Sequence, residues 1–254
     1  MKTVFITGAA SGIGLATARR FAADGWFVGL YDINQEGVDK LLQSGEFANA
    51  CGAYCNVMDR DSIQQALDHF SNQTQGRLDV LVNNAGVLTG GEFHQIDSKA
   101  HDMMISINIK GLTDVAQLAF PLLKQTPNST LLNLCSVSSV QGIPQLAVYS
   151  ASKFYVNGLT EALNVEWKPY GIRVTCVKPP IVNTAMGASL PEQIMQRMAV
   201  DLLPEQVAEA IYRAVPGSNA GYLLGLKAQM MGLVTRLCPW FIRRKMIAYV
   251  TSYN

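Results

Sequence analysis

A tyrosine and a lysine four residues apart, Tyr149 and Lys153, are the first side chains in this sequence that could carry out a reaction. On a helix, residues at i and i+4 lie on one face, with their Cβ atoms about 6 Å apart. A nearby ammonium stabilises a phenolate, so it would lower the pKa of the tyrosine from its usual value of about 10. The spacing therefore predicts that Tyr149 exchanges protons with a substrate. The alternative is a chance pair on a surface helix, because the pattern alone is common.

A glycine-rich segment, TGAASGIG at residues 7–14, follows the first apolar run. Gly8 allows a tight turn, Gly12 lets the backbone approach a pyrophosphate, and Gly14 allows close packing of a helix on a strand. The first amides of the following helix would point unpaired at the phosphates, and the helix dipole favours their charge. The segment predicts a dinucleotide site, and the alternative is an ordinary glycine turn.

Asp32 lies 18 residues after Gly14, at the end of the second apolar run. A carboxylate there can accept hydrogen bonds from both hydroxyls of the adenosine ribose, and it would repel a 2′-phosphate. No Arg or Lys lies in residues 30–35 or in the glycine loop. The sequence therefore favours NAD(H) over NADP(H). The alternative is that Asp32 is the N-cap of a helix over Asn34–Gln43.

Short apolar runs alternate with longer stretches of helical period along the chain. The runs predict strands at Lys2–Thr7, Trp26–Tyr31, Ala50–Cys55, Leu78–Asn83, Thr130–Cys135, Ile172–Val177 and Gly221–Leu226. Helices are predicted at Gly14–Ala23, Asn34–Gln43, Asp61–Gln75, Lys99–Lys124, Tyr149–Lys168 and Pro204–Val215. Because the strands are almost continuously apolar, both of their faces should be covered. The pattern predicts one α/β domain, a doubly wound parallel sheet of about seven strands with helices on both faces.

Taken together, these motifs make the chain resemble the short-chain dehydrogenase/reductase family over residues 1 to about 215. The resemblance rests on the glycine loop, Asp32, NNAG (83–86), Asn108, Ser136, YSASK (149–153) and PPIVNT (179–184). It implies a Rossmann-type fold and hydride transfer between a nicotinamide cofactor and an alcohol or a carbonyl compound. The expected division is a dehydrogenase domain at 1–221, with a substrate loop at 182–203, and an extension of the same domain at 222–254.

The resemblance implies a catalytic group of Asn108, Ser136, Tyr149 and Lys153. In the family pattern, Tyr149 exchanges a proton with the substrate oxygen, to which Ser136 donates a hydrogen bond. Lys153 binds the nicotinamide ribose and lowers the pKa of the tyrosine, and Asn108 holds a water that connects Lys153 to solvent.

The same resemblance places a set of residues around the cofactor. They are Gly8, Ser11, Gly12, Ile13, Gly14, Asp32, Asn56, Val57, Asn84, Ala85, Gly86, Tyr149, Lys153, Pro179, Val182 and Thr184. The chain departs from the family pattern at Asn56, where an aspartate is usual, and at Pro180, where a glycine is usual. Proline fixes φ and lacks an N–H, so the nicotinamide loop is expected to be stiffer here. Ser138 and Ser139 are close enough in sequence to be alternatives to Ser136.

Apolar side chains dominate the two segments that should form the substrate pocket. They are Val137, Val140, Ile143, Leu146, Val148, Met186, Leu190, Ile194, Met195 and Met198. Such a lining suits a hydrophobic secondary alcohol or ketone of steroid, terpene or long aliphatic type. The alternative for each residue is packing in the core. Residues 191–202 are expected to form a lid, whose methionines would adapt to irregular ligands.

Charge and cysteine content exclude several other classes. The net charge of +1 gives no reason to expect a nucleic-acid partner. The odd count of five cysteines favours reduced thiols and a cytoplasmic location, and no His or Cys spacing suggests a metal site. No run reaches the roughly 18 apolar residues of a membrane span.

The last segment, residues 221–254, carries five basic residues and no acidic one, whereas residues 1–220 have a balance of −4. This basic, apolar tail could pack on the body or on a partner subunit, cover the substrate mouth, or lie in a membrane interface. The resemblance also implies a homodimer or homotetramer that pairs the helices Lys99–Lys124 and Tyr149–Lys168.

Two other functions fit the fold. One is a cofactor-binding regulator without catalysis, and the other is an epimerase or dehydratase. Retention of both Tyr149 and Lys153 argues against the first, and the compact length argues against the second.

Overall fold

A computed structural model describes residues 1–188, 190 and 202–251 of the chain. Its strands are β1 (Thr3–Thr7), β2 (Phe27–Asp32), β3 (Ala50–Tyr54), β4 (Val80–Asn83), β5 (Thr130–Leu134), β6 (Arg173–Lys178) and β7 (Gly221–Leu223). Its α-helices are α1 (Gly12–Ala23), α2 (Gln35–Gln43), α3 (Arg60–Thr74), α4 (Ser98–Ile105), α5 (Leu112–Gln125), α6 (Ala147–Glu166), α7 (Ala185–Ala188), α8 (Pro204–Ala214), α9 (Leu226–Leu237) and α10 (Trp240–Thr251).

The seven strands form one sheet in the order β3-β2-β1-β4-β5-β6-β7, and all neighbouring pairs are parallel. This confirms the predicted doubly wound Rossmann-type sheet. The chain moves outward from β1 in one direction, through β2 and β3, and then returns to the other side of β1 with β4. Such a reversal opens a crevice above the carboxyl ends of the central strands.

Successive residues of the central strands face opposite layers. Val4 and Ile6 of β1 pack in a core with α1, α2 and α8, whereas Phe5 between them packs in a second core with α3 and α5. All three side chains are fully buried. Burial on both faces explains why these strands are continuously apolar in sequence.

The predicted single helix over Lys99–Lys124 is wrong in one respect, because residues Ser106–Gly111 form a π-helical turn between α4 and α5. Apolar periodicity cannot distinguish i→i+5 from i→i+4 hydrogen bonding, so the sequence pattern contained no sign of it. β7 is also shorter than predicted, since it ends at Leu223, and Gly225 with a φ of +86° turns the chain into α9.

The carboxyl ends of five parallel strands deliver the predicted functional residues to one edge of the sheet. Gly8 follows β1, Asp32 ends β2, Asn84 follows β4, Ser136 follows β5, and Pro179 follows β6. The division of the chain at residue 221 remains a prediction.

Candidate active site

The glycine loop between β1 and α1 has the backbone that its sequence predicts. Gly8 and Gly12 have φ values of +67° and +52°, a region that disfavours residues with a Cβ. A Cβ on Gly14 would lie only 1.9 Å from the carbonyl oxygen of Gly8, so glycine is required for α1 to start this close to the loop. Ser11, the residue before α1, makes no side-chain cap hydrogen bond. The first amides of α1 are therefore available to an anion.

The loop is tied to the segment after β4. Thr7 Oγ1 accepts hydrogen bonds from the amides of Asn84 and Ala85, each at 3.0 Å. The Asn84 side chain donates in return to the carbonyl oxygens of Thr7 at 2.8 Å and Gly8 at 3.1 Å. These hydrogen bonds fix the position of the glycine loop relative to the segment after β4, and both line the crevice.

Asp32 is buried at the end of β2 and faces the glycine loop. Its Oδ2 accepts a hydrogen bond from the amide of Ala10 at 2.9 Å, and its Oδ1 accepts one from the amide of Asn34 at 2.9 Å. The alternative assignment of Asp32 as a helix N-cap is wrong. Asn34 precedes α2 and caps it by accepting a bond from the amide of Gly37 at 3.0 Å.

Ser136, Tyr149 and Lys153 meet at the other end of the crevice. Ser136 follows β5, while Tyr149 and Lys153 are one turn apart near the start of α6. Ser136 Oγ donates to Ser138 Oγ at 3.2 Å, and the Ser136 side chain lies close enough to the Tyr149 hydroxyl to lower the pKa of the tyrosine. The ammonium of Lys153 lies 5.5 Å from the centre of the Tyr149 ring and donates to the carbonyl oxygen of Leu134 at 3.0 Å.

Burial dominates the protonation of this pair. It raises the pKa of Tyr149 to about 12, and the Ser136 side chain offsets this rise only in part. Burial also lowers the pKa of Lys153. Burial thus determines the net direction of the Tyr149 pKa shift, and the lowering of that pKa by Lys153 stays a prediction. The ammonium is directed at a backbone carbonyl, and the low-dielectric surroundings disfavour the phenolate.

Asn108 lies in the π-helical turn, behind the crevice, and is buried. Its side chain bonds Val87 twice, donating to the carbonyl oxygen and accepting from the amide, both at 2.8 Å. It also donates to Ser152 Oγ at 3.3 Å, and Ser152 in turn donates to the carbonyl oxygen of Tyr149 at 2.7 Å. Asn108 thus connects the segment after β4 with the helix that carries Tyr149.

The crevice has a volume of about 350 Å³, which is in the range of small-molecule sites. It brings together Ser136, Tyr149 and Lys153 with every residue expected around the cofactor except Gly14. Gly14 lies beneath the loop, as its packing role requires. Asn108 is the other site residue that does not line the crevice. Ser138 does line it, but Ser139 does not, and the Ser139 hydroxyl donates instead to the carbonyl oxygen of Ser136 at 2.7 Å.

The wall beyond Tyr149 is apolar. Of the residues predicted to line a substrate pocket, it contains Val137, Ile143, Leu146, Met186 and Leu190. Val140 and Val148 were wrongly predicted to line it, since neither is among the residues that form the crevice. Ile194, Met195 and Met198, together with the expected lid, lie outside the described residues.

Sequence reasoning missed several contributors. Leu88, two residues after the NNAG motif, and Ile181, inside the PPIVNT motif, also line the apolar wall. Ser152 was missed as a link between Asn108 and Tyr149. Gly111 lies where an added Cβ would come within 2.6 Å of the carbonyl oxygen of Val57. A glycine in a helical pattern was the available signal for such a close contact.

A family model described as short chain dehydrogenase matches residues 2–195. The chain belongs to the short-chain dehydrogenase family. It is 36% identical over 240 residues to a 3-oxoacyl-(acyl-carrier-protein) reductase of Thermotoga maritima. This match covers 91% of this chain and 96% of that protein. It is 30% identical over 238 residues to a 3α-hydroxysteroid dehydrogenase of Mediterraneibacter gnavus, with 92% of each chain covered.

The fold of this short-chain dehydrogenase is also found in solved structures. The crystal structure of an actinorhodin polyketide ketoreductase with NADPH superposes with a TM-score of 0.80 at 28% sequence identity. The match covers 89% of this chain and 95% of that one. The chain is thus an oxidoreductase of a family that acts on alcohols and ketones with a nicotinamide cofactor.

The residues of this short-chain dehydrogenase fit a dinucleotide. A Cβ on Gly8 would come within 2.9 Å of the Asn84 side chain, so glycine is required for the loop to pack this close to the segment after β4. The open amides of α1 offer donors to that diphosphate, and the Asp32 carboxylate offers acceptors to a ribose. Within residues 1–188, 190 and 202–251, no cluster of three His, Cys, Asp or Glu side chains could hold a metal ion.

Proposed function

We propose that this enzyme interconverts a hydrophobic secondary alcohol and its ketone with NAD(H). The observation that carries the proposal is the makeup of one crevice. A buried carboxylate, Asp32, lies at its dinucleotide end, and an apolar wall lies beyond Ser136 and Tyr149 at the other.

Asp32 supports the choice of NAD(H). Its carboxylate is held in place by the amides of Ala10 and Asn34, and each oxygen retains a lone pair for a ribose hydroxyl. A 2′-phosphate at this position would face a fixed negative charge with no basic side chain in residues 30–35 or in the glycine loop to offset it.

Tyr149 is the proposed proton donor to the carbonyl oxygen of the substrate. Because burial keeps its pKa at about 12, the phenol is protonated at neutral pH and can donate. Ser136 is the proposed second donor to that oxygen, since it is the serine of the 136–139 turn that acts on the pKa of Tyr149. In the reverse direction Tyr149 accepts the proton of the alcohol.

Other residues of the crevice hold the reactants. When bound, the nicotinamide cofactor supplies or accepts the hydride. Lys153 is the proposed donor to its ribose, and Val182 and Thr184, which line the same crevice, are proposed to contact the nicotinamide. Ile143, Leu146 and Leu190 form a buried apolar cluster, packed against Tyr149, that can exclude water from the transfer.

The substrate class follows from that wall. Its described residues beyond Tyr149 are almost all aliphatic or Met, so a charged substrate group there would lose hydration without gaining a partner. An apolar ring system or chain that carries one hydroxyl or keto group fits such a wall. Two of the relatives, a 3α-hydroxysteroid dehydrogenase and a 3-oxoacyl-(acyl-carrier-protein) reductase, support this choice.

The direct test is a screen of hydrophobic secondary alcohols and their ketones with NAD(H) and NADP(H), followed by NADH absorbance. We expect turnover of apolar cyclic or long-chain compounds with NAD(H), and Tyr149→Phe should reduce turnover by about 10²- to 10⁴-fold. NADH affinity of this variant, measured by calorimetry, should stay within about twofold. Substantial residual turnover in Tyr149→Phe would refute the assignment.

A further inference from the structure

The last two helices of the described chain expose a series of large apolar side chains to solvent. On α9, Leu226, Met230, Leu233 and Leu237 are between 60% and 74% exposed. Their spacing of i, i+4, i+7 and i+11 places them on one face of the helix. A continuous apolar stripe of this kind on a protein surface indicates a docking surface.

Helix α10 repeats the pattern. Ile242, Met246 and Tyr249 are exposed at i, i+4 and i+7, and therefore share a face. Trp240 and Phe241 at the start of the helix are 63% and 56% exposed. Aromatic side chains with a polar atom, such as Trp and Tyr, favour the boundary between lipid and water.

The charge beside these apolar faces has one sign. Arg244 and Lys245 are exposed on α10, and the Arg244 guanidinium lies 6.0 Å from the centre of the Trp240 ring. Residues 221–254 contain five basic side chains and no acidic one. The surface therefore combines apolar stripes with exposed basic side chains, in a segment whose sequence has no acidic residue.

This combination decides between occupants. Packing on the body of the same chain does not cover the apolar faces of α9 and α10, because their side chains are exposed in the structure of the single chain. Symmetric pairing of the tail with the tail of a second copy would place the basic side chains of one copy against those of the other, which is unfavourable. An anionic lipid surface satisfies both features, because its acyl region accepts the apolar side chains and its headgroups pair with Arg and Lys.

We propose that α9 and α10 (residues 226–251) form a membrane-docking surface that binds the interface of bilayers containing anionic lipids. The helices lie on the membrane and do not cross it. Among the described residues, no helix is both long and apolar enough to span a bilayer. Docking would place the enzyme at the surface where apolar alcohols and ketones partition.

Trp240 provides a direct probe. The protein has three tryptophans, and Trp26 and Trp167 are each only 7% exposed, whereas Trp240 is 63% exposed. A change in tryptophan fluorescence on addition of vesicles therefore reports on α10. We expect a blue shift, and quenching by bromine-labelled acyl chains, with vesicles of phosphatidylcholine and phosphatidylglycerol.

Sedimentation with the same vesicles gives the affinity of the full-length chain. Pure phosphatidylcholine vesicles should bind at least about tenfold more weakly, and the difference should shrink as salt is raised. The double variant Arg244→Glu/Lys245→Glu should lose binding at least about tenfold. The matched control, Lys99→Glu/Lys168→Glu, changes the net charge equally at two exposed sites away from the tail and should bind as the parent does.

The apolar contribution is tested by Leu233→Gln/Leu237→Gln, which should also weaken binding to the mixed vesicles at least about tenfold. Dinucleotide affinity, measured on each variant, verifies that the body is folded. The proposal is overturned if neither tail variant changes vesicle binding, or if both lipid mixtures bind equally. It is also overturned if the parent does not bind vesicles and Leu233→Gln/Leu237→Gln instead dissociates an oligomer, because the occupant is then a second copy.

Discussion

The ammonium of Lys153 donates a hydrogen bond to the carbonyl oxygen of Leu134 at 3.0 Å, although it lies one helical turn from the phenol of Tyr149. The lysine is therefore anchored to the end of β5, and the tyrosine hydroxyl lies beside Ser136, which lowers the tyrosine pKa. This arrangement fixes the position of both side chains at the crevice while leaving the phenol protonated at neutral pH.

The raised pKa of Tyr149 predicts different pH profiles for the two directions of the reaction. Ketone reduction needs the protonated phenol, so its rate should stay level with rising pH until the pH approaches the pKa of about 12. Alcohol oxidation needs the phenolate and should rise by about tenfold per pH unit below that value. Steady-state rates in both directions, over the pH range in which the fold is stable, test this prediction.

Ser136→Ala provides the control for the pH profiles. The Ser136 side chain lowers the pKa of Tyr149, so its removal should move the rise in oxidation to higher pH. A shift to lower pH, or an oxidation rate that levels off below about pH 9, would contradict the prediction that burial governs this tyrosine.

Gly14→Ala tests the packing beneath the glycine loop. The added Cβ would lie 1.9 Å from the carbonyl oxygen of Gly8, so the loop or α1 must shift. We expect dinucleotide affinity to fall at least about tenfold and the free energy of unfolding to fall by about 1–3 kcal/mol. Calorimetric binding and thermal unfolding provide the two measurements.

Gly142→Ala is the matched control, because a Cβ there meets no atom within 4 Å. It should leave both quantities unchanged within error. Equal effects of the two substitutions would show that the contact of Gly14 with Gly8 is not what makes glycine necessary in the loop.

The fold could be predicted from the sequence because its strands are apolar on both faces. The functional motifs, which lie at the carboxyl ends of the strands, also marked where the strands end. Val4 and Ile6 face one core while Phe5 faces the other, so the run is apolar throughout and predicts a covered parallel strand. Spacing likewise placed Tyr149 and Lys153 on one turn. It could not give the protonation state of Tyr149, which depends on burial by segments distant in sequence.

The π-helical turn at Ser106–Gly111 was also beyond prediction. Its cause is tertiary, because Asn108 bonds Val87 and Gly111 packs against the backbone of Val57. The wrongly predicted pocket residues Val140 and Val148 illustrate the same limit. Val140 ends the turn after Ser136 and Val148 lies in the first turn of α6, and apolar character alone does not show which way either side chain faces.

The outer face of α6 is the proposed site of homodimer pairing, as the family resemblance implies. Phe154 and Val165 are eleven residues apart, share one face, and are 45% and 73% exposed. Phe154→Glu/Val165→Glu would place like charges opposite each other across a twofold axis and should weaken pairing at least about a hundredfold. Analytical ultracentrifugation measures the strength of this pairing, with Gln43→Glu on α2 as the control for added charge. An unchanged mass distribution would exclude this face as the interface.

Asp32→Asn tests the choice between NAD and NADP. Both carboxylate oxygens accept a backbone amide, from Ala10 and from Asn34. An amide side chain can satisfy only one of these donors, and it no longer repels a 2′-phosphate. We therefore expect kcat/KM for NAD to fall at least about tenfold while that for NADP changes little or rises, so the ratio moves towards NADP. Asp39→Asn, which removes the charge of an exposed carboxylate of α2 and keeps an acceptor for Gln35, should leave the ratio unchanged. Because thermal unfolding reports the lost amide bonds separately, a stable variant with an unaltered ratio would mean that some other feature of the crevice selects the cofactor.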